Sequence, residues 1–154
     1  MILDAFNQFS SDQAVTADAI SENVIDLGPL GGGNLLRDIG AGEPLYISIL
    51  VKTALTDADG DPTLAVTLES DDAEALTTAT VHATLATGLA KATLIAGYWI
   101  AQNWAIPAAD YQRYLGLRYT TTTADFDGGT VDAWLHIGRF DTRTYESGFS
   151  TGVN

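Results

Sequence analysis

The sequence contains no cysteine, only seven lysines and arginines, and two histidines. Without cysteine the chain has no disulfide, no thiolate metal site and no cysteine nucleophile. So few basic residues cannot form the clustered positive charge that a phosphate backbone or an anionic membrane surface attracts. No apolar run approaches the roughly 20 residues that span a bilayer. We therefore expect neither a nucleic-acid partner nor a membrane partner.

An export signal is not expected either. The opening residues, MILDAFNQFSSDQ, place Asp4 where a signal peptide has a basic segment followed by an apolar one.

Acidic and apolar residues are what the chain does have. Twenty acidic residues give a net charge of −13, while 46% of the residues are hydrophobic and 18% are charged. This balance is typical of one packed globular domain over 1–154 and not of a disordered chain. The acidic surplus favours solubility, and it also favours attraction to a basic protein surface.

Period-two alternation runs through most of the chain and predicts half-buried β-strands. The clearest cases are PLYISILVKTAL (44–55), TLAVTLES (63–70), YQRYLGLRYTTTT (111–123) and TVDAWLHIG (130–138). Weaker strand candidates are 23–28, 80–87 and 89–100, and helical alternatives are limited to 71–79 and part of the first 20 residues. Turn segments rich in glycine, proline and aspartate separate the strands. The pattern predicts an all-β, jelly-roll-like antiparallel sandwich of about eight strands.

An acidic segment at 56–72 raises the question of a calcium site, since Asp57, Asp59 and Asp61 occupy alternate positions. An EF-hand loop counted from Asp57 needs glycine at its sixth position and glutamate at its twelfth, but Pro62 and Leu68 stand there. We therefore interpret the segment as a hairpin turn in which Gly60 supplies a positive φ. Asp57, Asp59 and Asp61 remain weak calcium candidates.

Catalytic motifs are not found. His82 and His136 lie inside strand patterns without a second ligand at metal-binding spacing, and neither a G-x-S-x-G elbow nor a P-loop occurs. With 20 acids in the chain, paired carboxylates arise by chance and do not indicate a glycosidase. We expect no enzyme activity and no cofactor.

Aromatic residues are the more informative feature of the sequence. Trp134 and His136 share one strand face, opposite Leu135, and aromatic residues beside arginine are typical of protein interfaces or sugar platforms. Burial of both faces of the strand would explain the same pattern. The interface candidates are Trp134, His136, Tyr114, Arg118, Trp99 and Trp104.

Three stretches, in this order and spacing, carry a family resemblance: NVIDLG (23–28), RDIGAGEPLYISILV (37–51) and RYLGLRYTTTTADFDGGTVDAWL (113–135). Together they resemble the capsid cement, or decoration, proteins of tailed phages, in particular the family typified by a Bordetella phage. The last stretch also resembles a hairpin of phage head proteins.

The resemblance implies a jelly-roll domain on the outer surface of the capsid, made in the bacterial cytoplasm. Such a protein binds the major capsid protein and copies of itself, as a dimer or trimer, and clamps neighbouring capsid subunits. The acidic loop at 57–61 and the tail at 139–154 have no counterpart in the pattern. The alternative is a carbohydrate-binding β-sandwich that uses surface tryptophans; an enzyme of cupin type is the weakest alternative.

The first 20 residues alternate poorly and lead into polar residues. We expect residues 1–20 to form an N-terminal arm on a neighbouring subunit, so that their deletion weakens assembly without loss of the β-rich spectrum.

Overall fold

The computed structural model describes residues 5–28, 42, 44–58 and 60–139. In this part of the chain a short 3₁₀ turn, η1, is followed by nine strands. Their bounds are η1 Ala5–Asn7, β1 Gln8–Ala14, β2 Ala19–Ile20, β3 Ile25–Asp26, β4 Leu45–Thr56, β5 Thr63–Asp71, β6 Thr80–Ala90, β7 Trp99–Ala105, β8 Tyr114–Thr122 and β9 Gly128–Ile137.

The strands form two antiparallel sheets packed as a sandwich. The first sheet has the order β1-β9-β4-β7, and the second has the order β2-β8-β5-β6, with β3 also paired to β8. Because β2 and β3 pair with successive parts of β8, they act as one interrupted strand and leave the eight strands of a jelly roll. The predicted all-β sandwich is confirmed.

Alternation along the central strands places one side of each sheet in a shared core. Ile47, Ile49 and Val51 of β4 are fully buried, as are Leu115 and Leu117 of β8. The same pattern buries Leu64, Val66 and Leu68 of β5 and Val131 and Ala133 of β9. Each buried valine, leucine or isoleucine in this set stabilises the fold by about 1.5–3 kcal/mol relative to an exposed one.

A polar contact inside this core links the two sheets near the amino end of the chain. Tyr119 is fully buried, and its hydroxyl donates to Ser10 Oγ at 2.8 Å while Ser10 donates to Gln13 Oε1 at 2.6 Å. Gln13 Nε2 in turn donates to the carbonyl of Ile20 at 2.8 Å. Burial raises the pKa of the Tyr119 phenol, so the hydroxyl stays protonated as a donor.

The weaker strand candidates have different outcomes. Residues 80–87 lie in β6, and β3 lies within 23–28. The 89–100 candidate is wrong over most of its length, because β6 ends at Ala90 and β7 begins at Trp99. The backbone of the turn between them forms hydrogen bonds with β4: Leu55 N donates to Leu94 O, and Gly97 N donates to Val51 O.

The helical alternative at 71–79 is also wrong, since turns follow the end of β5 there. The Asp71 carboxylate accepts the backbone N–H groups of Ala73 at 3.1 Å and Thr78 at 2.7 Å. These bonds close the loop without an α-helix and lower the pKa of Asp71, the bond from Thr78 most strongly.

Two predicted hairpins are connections between sheets. The loop at 57–62 joins β4 of the first sheet to β5 of the second, and the loop at 123–127 joins β8 to β9 across the sandwich in the same way. Gly60 does not have the positive φ expected of it. A Cβ at Gly60 would instead lie 2.9 Å from the Cβ of Ala124, so this glycine allows the two connections to approach each other.

Residues 8–20 do not form the predicted arm, because they pair within the sandwich. β1 pairs with β9 and β2 pairs with β8. Phe9 and Val15 are fully buried among residues of both sheets. Apolar side chains at these positions are what bind the segment to its own subunit.

Deletion of residues 1–20 should therefore abolish the fold, because it removes two buried core side chains and an edge strand. Phe9→Ala alone should cost about 3–5 kcal/mol of unfolding free energy. Circular dichroism and urea unfolding measure both effects, and deletion of residues 1–7, which leaves β1 intact, is the control. A β-rich spectrum and cooperative unfolding retained after removal of residues 1–20 would contradict this account.

Gly129 is required by the backbone at the start of β9. Its φ is +123°, and a Cβ there would lie 2.6 Å from Leu55 Cα. Few L-residues adopt this conformation, and the neighbouring atom belongs to a strand backbone that cannot move aside.

Gly129→Ala should lower the unfolding free energy by about 3 kcal/mol or more, through both backbone strain and the clash. The matched control is Gly88→Ala, where φ is +62° and no atom lies within 4 Å of the added Cβ. That variant should lose only about 1–2 kcal/mol. Equal losses for the two variants in urea unfolding would show that the close approach to Leu55 is unimportant.

Candidate functional site

The six interface candidates are divided by the fold. Trp99, Trp134 and His136 lie on the outward face of the first sheet, whereas Tyr114 and Arg118 lie on the outward face of the second. Trp104 pairs with Ile47 and packs partly buried against the core. The sandwich therefore presents two different outer surfaces.

The outward face of the first sheet is rich in aromatic residues, and we call it the aromatic face. Its side chains are Tyr46, Ser48 and Leu50 of β4, Trp134 and His136 of β9, and Trp99 of β7. Direct register pairs join Tyr46 to His136, Ser48 to Trp134 and Leu50 to Trp99. Tyr46, Leu50, Trp99 and Trp134 each keep part of their surface exposed.

Hydrogen bonds hold His136 in one orientation beneath this face. Its Nδ1 donates to the carbonyl of Gly138 at 2.7 Å, so Nε2 accepts from Ser48 Oγ at 2.9 Å. Ser48 Oγ also accepts the Asn103 backbone N–H at 3.0 Å. The Tyr46 ring stacks on the imidazole with a centroid distance of 6.0 Å. This chain of bonds suits the neutral imidazole.

Charged groups are confined to one end of the aromatic face. Asp132 pairs with Leu50, and its Oδ1 accepts the backbone N–H of Asp12. Lys52 Nζ lies 3.1 Å from the Asp12 carboxylate. Two carboxylates and one ammonium group therefore leave this end with a net negative charge.

The central part of the outward face of the second sheet is covered by the chain itself. The loop at 72–79, which we call the covering loop, joins β5 to β6 and buries Leu76 completely. Leu76 packs over Gly116 of β8, where an added Cβ would lie 2.6 Å from Leu76 Cδ1. Val24, between β2 and β3, also packs against this glycine. Gly116 thus provides the space that the covering loop occupies.

An ion pair under the covering loop uses Arg118. Its Nε donates to Glu69 Oε2 at 2.8 Å, and a terminal nitrogen donates to the carbonyl of Leu76 at 2.7 Å. Glu69 is almost completely buried and also accepts from Thr67. The shallow depression beside this pair measures about 430 Å³. Arg118 is therefore committed to contacts that hold the covering loop in place.

Tyr114 also takes part in an intramolecular contact. Arg113 lies over its ring, 4.8 Å from the centroid, and forms a bidentate pair with Asp26 at 2.9–3.0 Å. The hydrogen bonds that Arg113 donates to the Asp26 carboxylate raise the pKa of Arg113. These groups tie β3 to the start of β8.

In the acidic loop, Lys91 lies beside Asp57, one of the three carboxylates considered as calcium ligands. Asp57 Oδ2 accepts the Gly60 N–H at 2.6 Å and lies 3.7 Å from Lys91 Nζ. Lys91 also donates to the carbonyl oxygens of Asp57 and Gly60 at 3.0 and 3.3 Å. Asp61 is exposed, and Asp59 lies outside the described residues. Within the described ranges, no three histidine, aspartate or glutamate side chains are grouped as metal ligands.

His82 is held by the same kind of contact as His136. Ser70 Oγ accepts the Gln112 N–H at 2.9 Å and forms a hydrogen bond with His82 Nε2 at 2.6 Å. The Tyr111 ring lies 4.5 Å from the imidazole centroid. Burial lowers the pKa of both histidines, although for His136 the hydrogen bond to Gly138 opposes this effect. Ser70 is itself completely buried.

The sequence reasoning missed Tyr46, Ser48 and Leu50 as members of the aromatic face. The signal was available in β4, where Tyr46 and Ser48 alternate with buried isoleucines. What it did not provide was the register with β9, which brings Tyr46 to His136.

The geometry describes a jelly-roll domain with one face partly covered by its own loop and one aromatic face. No helix in residues 5–28, 42, 44–58 and 60–139 is long and apolar enough to cross a membrane.

A family model gives the more specific assignment. The Bbp16 model matches residues 9–135, and the chain belongs to this family, which derives from a Bordetella phage. The resemblance noted in the sequence is confirmed at this level, and membership indicates a phage structural protein associated with the virion. Among curated proteins no match to the chain is found.

Folding stability should fall as the pH drops from about 7.5 to about 5, because both histidine pKa values lie below the ordinary 6.5 in the folded state. The unfolded chain then binds protons first, so the stability present above pH 6.5 is lost as the pH falls. Urea unfolding across this range measures the loss.

Replacing His82 and His136 together by glutamine should flatten the dependence between pH 7.5 and 5, whatever the variant's stability at pH 7.5. A further loss near pH 4 should remain in both proteins, since the pKa of Asp71 is lowered from 3.8. An unchanged slope in the double variant would mean that other groups cause the pH dependence.

Proposed function

We propose that this protein is a capsid cement protein, which binds the outside of a phage head and links neighbouring major capsid subunits. It acts together with copies of itself, as a dimer or trimer, and stabilises the head against internal pressure. Its role is structural, without catalysis or a cofactor.

The extent of the family match carries this proposal. The match begins at Phe9 in β1 and ends at Leu135 in β9, two strands that lie side by side in the first sheet. It therefore covers the closed sandwich from its first strand to its last. Membership in a phage family across the whole sandwich supports a structural role in the virion.

Charge and surface composition support the same proposal. A net charge of −13 opposes binding to DNA and leaves a basic protein surface as the complementary partner. The half-exposed Tyr46, Trp99 and Trp134 are residue types that are enriched in protein interfaces.

Oligosaccharide binding is the second candidate, because Trp99 and Trp134 share one partly exposed face. Stacking of a sugar ring on either indole would shift tryptophan fluorescence during titration with oligosaccharides. A saturable shift would favour this function, and an unchanged spectrum would favour the cement role.

Co-sedimentation with phage heads tests the proposal. Heads assembled from the major capsid protein of the same phage should pellet the protein saturably, at a fixed ratio to capsid subunits. Decorated heads should also resist heat longer than bare heads. Folded protein that stays entirely in the supernatant would refute the cement function.

A further inference from the structure

We propose that the aromatic face is the surface that docks onto the capsid. Its partner would be a patch of the major capsid protein that is apolar in its centre and basic where it meets Asp132. This inference rests on the proposed function and adds to it the face, the orientation and the chemistry of the partner.

The two outer faces differ in how much of each the chain itself already covers. Around Gly116 the second sheet is covered by Leu76 of the covering loop, and its Arg118 is bound to Glu69 and the Leu76 carbonyl. A partner that contacted this central part of the sheet would have to displace a fully buried leucine and break the Glu69–Arg118 pair. Such a displacement would expose Glu69 without its partner, which is costly.

The aromatic face needs no such displacement. Tyr46, Leu50 and Trp134 are already partly exposed while their backbones lie in the paired strands β4 and β9. Tyr46 is further restrained by stacking on His136, which two hydrogen bonds hold in place. Side chains restrained before binding lose little conformational entropy when a partner covers them.

Charge depletion also distinguishes this face. The charged groups of this face, Asp132 opposite Leu50 and the Lys52–Asp12 pair, lie at one end, whereas the paired positions Tyr46–His136 and Ser48–Trp134 carry no carboxylate or ammonium group. Interface cores are depleted of charge and enriched in tyrosine and tryptophan, whereas their rims are polar. The uncharged centre and the charged end at Asp12 and Asp132 match this arrangement.

The acidic sign of the protein's unpaired charge favours a basic partner surface. Of the five cations in the described ranges, Lys52, Lys91, Arg113 and Arg118 are each paired with a carboxylate of the same chain. Little positive charge is therefore left at this face to meet the carboxylates of Asp12 and Asp132 on a second copy. A basic capsid patch complements this face better than a second copy does, so contacts between copies would use other surfaces.

Leu50→Ser and Trp134→Thr test the face by removing apolar contact area. Each variant should weaken binding to heads by about tenfold or more, as expected for a central interface residue. Val81→Ser and Ile95→Ser are matched controls, since these apolar residues are 54% and 60% exposed but lie in β6 and in the turn before β7. The controls should bind within about twofold of the unchanged protein. Melting temperatures verify that all four variants are folded.

Asp132→Asn tests the charged end separately. The amide oxygen can still accept the Asp12 N–H, so the variant removes charge while it keeps the hydrogen bond. Binding should weaken several-fold at about 50 mM salt, and the difference should shrink at about 500 mM as screening increases. Asp72→Asn, in the covering loop on the other face, is the control and should bind like the unchanged protein.

The outcomes separate this inference from the cement function. If the unchanged protein pellets with heads and the two face variants pellet equally well, the cement function stands and the docking face is wrong. If the unchanged protein does not pellet, the cement function itself is refuted. If the face variants lose self-association in analytical ultracentrifugation and still bind heads, a second copy occupies the face and the inference is overturned.

Discussion

Pairing between β4 and β9 is the interaction on which the rest of the structure depends. The two strands run side by side from Leu45 and Ile137 at one end to Thr56 and Gly128 at the other. The continuous register from Leu45–Ile137 to Val51–Val131 directs Ile47, Ile49, Val131 and Ala133 into the core and Tyr46, Trp134 and His136 outward. A slip of one residue in either strand would exchange its core and outward side chains, so the core and the aromatic face are specified together.

The outward faces of the two sheets differ in which groups cover them and in how their polar groups are paired. In the second sheet Gly116 has no side chain, so Leu76 of the covering loop packs over it. The Glu69–Arg118 pair holds the covering loop in place. In the first sheet the outward positions carry large rings, and buried polar groups beneath them satisfy one another through Ser48, His136 and the Asn103 backbone. One face is thereby covered by the chain around Gly116, while the other presents partly exposed aromatic rings.

Local patterns predicted the elements better than their connections. Alternation identified the central strands because each has one face in the core, and β6 was found although most of its residues are exposed or half-buried. The prediction of a strand at 91–98 was wrong because residue spacing does not show that the backbone of this turn bonds to β4 without continuing a strand. The supposed arm was misjudged because the bulges of β1 interrupt its alternation and conceal the burial of Phe9 and Val15. Both supposed hairpins cross between sheets, which short turn motifs do not reveal.

The sequence by itself determined the fold class, the acidic character and the family, because these depend on residue type, period-two alternation and motif order along the chain. Only the tertiary structure decided which aromatic residues act together. Trp99 and Trp134 share a face with Tyr46, whereas Trp104 packs against the core and Arg118 is bound beneath the covering loop. The physical reason is that strand register and sheet membership arise from contacts between distant segments, which residue spacing along the chain does not encode.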